Sequence, residues 1–333
     1  MAKEVVAELP GILRVYRDGS TVRIGDPILN FSPSHQEWGD EWGVSVKDVA
    51  FDEILYPGAS PSWVRLYLPP QHTNNLKLPV IIYFHGGGFC ESFLGGSLGY
   101  HRMCLKWAAE VGAIIVAANY RVAPEHRLPA AYDDCMAALE WIRLQKDNWM
   151  NLFGDFANVH LMGDSVGGNI VHHVMTAIHK DVDRWKPLQI KGAIMLQPFF
   201  GSEERTKSEV NCPEDAFLGL EICDWCWKLA LPAEADRNHP FCNPLGVEGV
   251  FALNSANLPK VMVVIGGRDL LRDKQLEYCK ALKSCRKQIQ VVQFQEEDHG
   301  FYAMKLEGES SLQLLAHASL FIKSADMGHH SKF

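Results

Sequence analysis

The chain has 333 residues, 47% of them hydrophobic, and a net charge of −8. That composition supports a sizeable buried core, excludes a disordered protein, and carries no basic stripe for nucleic acid. Nine scattered cysteines, an odd number, suit a reducing compartment better than a disulfide framework. The N-terminus lacks the apolar run of a signal peptide, and no stretch approaches the length of a membrane span. The expectation is a soluble, cytoplasmic, single domain over residues 1–333.

In chain order, Leu13 to Ile24 reads as a hairpin around Asp18-Gly19. Residues 25–44, with Pro27, Pro33, Trp38 and Trp42, form an irregular arm. Val46 to Leu55 and Trp63 to Leu68 read as antiparallel strands joined at Pro57-Gly58. From Leu78 the pattern changes. Val80 to Phe84 and Ala113 to Tyr120 are near-continuous apolar runs, as strands buried on both faces require. A helix is expected from about Tyr100 to Val111, and another from Ala130 to Leu144. Val159 to Asp164 reads as a strand and Asn169 to Ile178 as a helix. Ile190 to Leu196, Val261 to Ile265 and Ile289 to Phe294 are further strands. A helix through Leu282 separates the last two, and Ser310 to Ile322 closes the chain. Strand alternating with helix predicts an α/β fold with a mostly parallel central sheet flanked by helices. Between about 199 and 258 the alternation stops, and Phe217 to Leu231 reads as a helix. A helical cap built from about 1–45 and 199–258 is expected.

Between the strand and helix around residue 165 stands Gly163-Asp164-Ser165-Val166-Gly167. Such a pattern arises by chance in about one chain in ten of this length. The flanking strand and helix make it a nucleophile elbow, in which a sharp turn holds the serine hydroxyl out toward a base. Three partners are needed: a base, an orienting acid and an oxyanion hole. In open parallel sheets they lie past the carboxyl ends of strands. After Phe84 comes His85-Gly86-Gly87-Gly88, a loop of the kind that turns backbone N–H groups toward a substrate oxygen, together with the N–H of Val166. After Ile265 comes Gly266-Gly267-Arg268-Asp269, and Asp269 is the expected acid. Asp273 reads instead as a charge at a helix N-terminus. After Phe294 comes Gln295 to Asp298 and then His299, the expected base. The order Ser165, Asp269, His299 is that of α/β-hydrolases. No metal motif is present, and no cofactor is expected. Cys223-x-x-Cys226 lacks a second pair, so it reads as two cysteines on a helix.

His85 to Gly88, Gly163 to Asn169, Asp269-x-Leu-x-Asp273, His299-Gly300-Phe301 and Tyr120 to Ala130 together resemble the hormone-sensitive-lipase-like α/β-hydrolases. The hairpin and Gly201 to Ser208 resemble the plant carboxylesterases most. The resemblance implies Ser165 as nucleophile, His299 as base and Asp269 as its orienter. It further implies that Gly87, Gly88 and Val166 supply oxyanion N–H groups, Val166 standing where alanine is usual. It implies hydrolysis of a small carboxylic ester through an acyl-enzyme. Two alternatives use the same scaffold: elimination or cyclisation in specialised metabolism, and gibberellin reception, whose receptors lack the catalytic histidine. An apolar substrate is expected from Phe31, Trp38, Trp42, Phe89, Phe93, Phe217 and Trp225, which line the mouth or pack within the cap. The oligomeric state stays open.

Overall fold

A computed structural model describes residues 4–9, 13–24, 42–51, 62–70, 76–91, 98–145 and 147–326. The Pro57-Gly58 turn, most of the arm, Phe31, Trp38 and Phe93 lie outside them.

Strands β1 (Val5–Leu9), β2 (Leu13–Tyr16) and β3 (Thr21–Arg23) form a small antiparallel sheet. The hairpin of β2 and β3 turns at Asp18-Gly19, and Gly19 takes a φ of 80° there. β1 was not legible, because five residues are too few for alternation to register.

The main sheet contains β4 (Ser45–Ala50), β5 (Trp63–Leu68), β6 (Leu78–Phe84), β7 (Ile114–Ala118), β8 (Gly154–Asp164), β9 (Ile190–Leu196), β10 (Lys260–Gly266) and β11 (Ile289–Phe294). Their order is β11-β10-β9-β8-β6-β7-β5-β4. β4 and β5 are antiparallel, and β5 meets β7 antiparallel. All other pairings, from β7 to β11, are parallel. The prediction of a mostly parallel sheet therefore holds.

The two faces follow from period-two alternation. In β6, Val80, Ile82 and Phe84 join one apolar cluster, while Ile81 and Tyr83 join the other. The first face is covered by helices α2 (Ala130–Arg143), α4 (Val166–His179) and α8 (Arg272–Ser284). The second is covered by α1 (Leu98–Val111) and α10 (Glu309–Asp326). α4 buries Ile170, Val171, Val174, Met175 and Ile178, the stripe that helical spacing predicts. Small helices α3 (Asn148–Phe153) and α9 (Phe301–Met304) were not anticipated. α3 starts where the Asp147 carboxylate accepts the N–H groups of Trp149 and Met150.

Between β9 and β10 lie α5 (Lys207–Val210), α6 (Leu220–Ala230) and α7 (Val247–Ser255). The expected helix over Phe217 to Leu231 is α6, three residues shorter at its start. Cys223 and Cys226 are both buried free thiols on α6.

Candidate active site

Ser165 sits between β8 and α4 with φ 54° and ψ −117°, a region that L-residues rarely enter. Strain of this kind costs on the order of 1–3 kcal/mol and persists only where the surroundings hold it. Here they do. The Ser165 N–H donates to the Leu196 carbonyl and its own carbonyl accepts the Phe199 N–H, both at 2.8 Å. Gly163 and Gly167 make the turn passable, since a Cβ on Gly167 would strike the Phe84 carbonyl and one on Gly163 the Gly167 carbonyl.

His299 follows β11 and brings Nε2 to 3.0 Å from Ser165 Oγ. Its Nδ1 lies 2.9 Å from Asp269 Oδ2. All three residues are at most 7% exposed. Asp269 also accepts the Leu271 N–H through Oδ1 and the Gln275 Nε2–H through Oδ2, at 3.0 and 2.9 Å. A carboxylate so fully engaged fixes the proton of His299 on Nδ1 and leaves Nε2 as the acceptor. Asp273 lies in the first turn of α8 and accepts the Ser208 N–H at 2.9 Å, away from His299.

The loop after β6 turns through three positive φ values, at Gly87 (103°), Gly88 (64°) and Phe89 (61°). Its carbonyls are engaged elsewhere. That of His85 accepts the Tyr120 hydroxyl, that of Gly87 accepts Cys90 and Glu91 N–H, and that of Phe89 accepts Ala123 N–H. His85 stacks on Tyr120 with centroids 4.1 Å apart, and its Nδ1 meets the Gly86 carbonyl at 2.7 Å. Burial lowers its pKa to about 4, so it is neutral and serves as a wedge. Arg23 of β3 donates to the carbonyls of Cys90 and Ala123 and to Glu125, tying the small sheet to this loop.

Asp164 lies beneath the elbow and accepts the Tyr83 hydroxyl at 2.5 Å. Burial pushes its pKa up to about 6, against the opposing pull of the Tyr83 hydroxyl, the His299 side chain and the Gly86 N–H.

The segment between β9 and β10 covers this loop. A Cβ on Gly88 would strike the Cys226 thiol of α6. Trp227 stacks on Phe199 at 4.8 Å and packs against Phe89 at 5.9 Å. Phe89, expected near the mouth, is therefore core at 1% exposure. Trp42 packs on Arg102 and Lys106 of α1. Trp225 is half-buried, with the Lys228 ammonium over its ring. Phe217 is exposed and lies beside Gly300, next to His299. Arg268 bridges Asp298 and Asp215, joining the histidine loop to the same segment.

A cavity of about 670 Å³ opens at the opposite, amino ends of β9 and β10, lined by Ile178, Trp185, Leu188, Ile190 and Leu258 among others. It receives none of the expected site residues. Among the described residues, no group of three or more His, Cys, Asp or Glu side chains is placed to hold a metal ion. No helix among them is long and apolar enough to cross a membrane.

Sequence reasoning missed Gln275, Tyr83 and Gln197, which support the site from behind. Gln275 had a signal: it stands six residues after Asp269, on the helix that the acid's loop opens.

An open, mostly parallel sheet with serine, aspartate and histidine gathered past its strand ends is the architecture of an α/β-hydrolase. Residues 81–303 match a family described as having the alpha/beta hydrolase fold. Carboxylesterase 20 of Arabidopsis thaliana is 40% identical over 239 residues, 70% of this chain and 72% of that protein. Gibberellin receptor GID1C of the same plant is 36% identical over 249 residues, 74% of this chain and 69% of that protein. Among solved structures, an esterase of Pyrobaculum calidifontis superposes with a TM-score of 0.69 at 29% identity, covering 84% of each chain. The chain belongs to the α/β-hydrolase family, among its hormone-sensitive-lipase-like members, and is a carboxylic ester hydrolase of the serine type.

Proposed function

We propose that this enzyme hydrolyses a small, apolar carboxylic ester through an acyl-enzyme, with Ser165 as nucleophile, His299 as base and Asp269 as the orienter of His299. The observation that carries this reading is the continuous chain Ser165 Oγ, His299 Nε2, His299 Nδ1, Asp269 Oδ2, with bonds of 3.0 and 2.9 Å. Ser165 Oγ attacks the ester carbonyl carbon as its proton passes to His299 Nε2. The carbonyl oxygen becomes an oxyanion, which the N–H groups of Gly87, Gly88 and Val166 receive. Val166 opens α4, so its N–H carries the positive end of the helix dipole. The bond to the alcohol oxygen breaks, and that oxygen takes the proton from His299. Water then adds to the acyl carbon as His299 accepts its proton, and collapse releases the acid and restores Ser165. His85 and Gly86 shape the oxyanion loop.

The parts from about 1–45 and 199–258 act as a cap over one α/β-hydrolase domain spanning 1–333. Support comes from Arg23 at the oxyanion loop, from Cys226 and Trp227 above it, and from Phe217 beside His299. Exposed Phe217 favours an apolar substrate. A reducing, cytoplasmic setting accords with nine free thiols, eight of them buried.

The test is Ser165→Ala assayed on p-nitrophenyl esters of graded acyl length. Hydrolysis is expected to vanish in a folded protein, since no oxygen remains to be acylated. A fluorophosphonate should label the wild type at Ser165; hydrolysis retained by the variant would remove this serine from the mechanism.

A further inference from the structure

Gln197 directly follows β9 and takes a left-handed backbone φ of 45°. Its side chain is fully buried, at 0% exposure. A buried primary amide is costly unless both its oxygen and its nitrogen find partners. Here the partners are the two peptide groups on either side of His299. Oε1 accepts the Gly300 N–H at 2.7 Å, and Nε2 donates to the Asp298 carbonyl at 3.1 Å. A donor on one side and an acceptor on the other leave only one orientation for the amide. The amide also closes on β10, where a Cβ on Gly266 would strike Nε2.

The backbone of the same short segment holds Ser165. Leu196, just before Gln197, accepts the Ser165 N–H, and Phe199, two residues after it, donates to the Ser165 carbonyl, each at 2.8 Å. The Gln197 N–H itself goes to the Val264 carbonyl of β10 at 2.9 Å. Within four consecutive residues, Leu196 and Phe199 therefore grip the serine by main chain and Gln197 grips the histidine loop by side chain. Packing alone would be met here by an apolar residue of the same length, at no desolvation cost. The amide's two bonds are spent on the loop that carries the imidazole.

We propose that Gln197 is a positioning residue that clamps the His299 loop and so sets the distance from His299 Nε2 to Ser165 Oγ. The proposal rests on the triad reading above. It predicts an effect on the chemical step and little effect on substrate binding, because Gln197 touches neither Ser165 Oγ nor the mouth.

The test is Gln197→Met, which keeps the length of the side chain and removes both bonds. In the folded variant kcat should fall about 10²-fold with KM within about threefold of wild type, the scale on which a misplaced catalytic group costs rate. Labelling of Ser165 by a fluorophosphonate should slow in parallel with kcat, since it needs the same base. A folded variant with a lower melting temperature but wild-type kcat and labelling rate would overturn the proposal and leave Gln197 a packing residue. Should Gln197→Met fail to fold, Gln197→Leu removes the same two bonds with another apolar side chain. Its kcat should likewise fall about 10²-fold, and an unchanged kcat would again overturn the clamp. Ser165→Ala separates the two levels of the argument. If that variant stays active, the triad reading fails and the clamp with it. If it is inactive while Gln197→Met turns over at the wild-type rate, the triad stands and only the clamp falls.

Discussion

Asp269 and Asp273 stand four residues apart, and their partners separate them. Asp269 meets His299 Nδ1 and is held by Leu271 and Gln275, whereas Asp273 meets Ser208 and Arg272. Asp269→Asn should lower kcat by about 10⁴, the loss found when an orienting aspartate of a serine protease is replaced. Asp273→Asn should cost far less, and the opposite ranking in steady-state kinetics would show that Asp273, not Asp269, supports His299. A second acidic residue bears on pH. Glu91 is half-buried at the end of the loop after β6. Burial first, then the charge of Asp164, pushes its pKa up to about 7, with Arg23 pulling the other way. A carboxyl whose folded pKa is raised binds more protons folded than unfolded between about pH 4.5 and 7. Its ionisation therefore costs stability above pH 7, and the cost disappears as pH falls toward 4.5. Glu91→Gln should stabilise the protein at pH 8, by at most about 3 kcal/mol, and by well under half of that at pH 5. Urea unfolding at the two pH values checks this; an equal gain at both would exclude the titration of Glu91 as its cause.

At the scale of elements, α6 is the piece that joins the inserted segment to the loop after β6. Trp227 is 2% exposed and lies between Phe199, which grips Ser165 through its N–H, and Phe89, which follows Gly88. Trp227→Ala should cost about 3–5 kcal/mol as a large-to-small change in a packed core. It should also lower kcat, because Phe89 and Phe199 lose the surface that holds them. Chemical denaturation and kinetics on one preparation test both; a destabilised variant with full kcat would show that α6 packs without steering the loop. The sheet strands and large helices were legible in the sequence because each carries an unbroken apolar run or a 3.6-residue stripe, as in Val80 to Phe84 and α4. Ser165, Asp269 and His299 stood out as candidates because each lies in a motif past a strand, Ser165 directly after β8 and the other two on the loops after β10 and β11. Gln197 was not, for it ends an apolar run and belongs to no pattern, and its meaning lies in a contact with residues about a hundred positions away. α5 was within reach: Thr206-x-x-Glu209 is a capping box, and the structure forms it. α3 and β1 were too short for periodicity to register.

At the scale of the whole molecule, the similarity to Arabidopsis carboxylesterase 20 and to gibberellin receptor GID1C sets turnover against reception. Both uses need a pocket and a cap. They differ in what must happen next: a receptor holds its ligand under a closed cap, while an esterase must reopen after each cycle. They differ also in what the histidine position must contribute, since a base poised on a serine endangers any ligand with an ester and serves a receptor nothing. In this chain His299 is present, 3.0 Å from Ser165 Oγ and backed by a buried carboxylate. Gln197 brackets it and Arg268 fastens the preceding Asp298, so the loop is built to hold the imidazole at the serine. Turnover is therefore expected. In steady-state kinetics on one ester, His299→Ala should lose about 10⁴-fold or more in kcat/KM. Undiminished activity in the variant would end the role given to His299. If no ester is turned over at any pH, and a small hormone-like ligand instead promotes binding of a second protein, the scaffold serves here as a receptor.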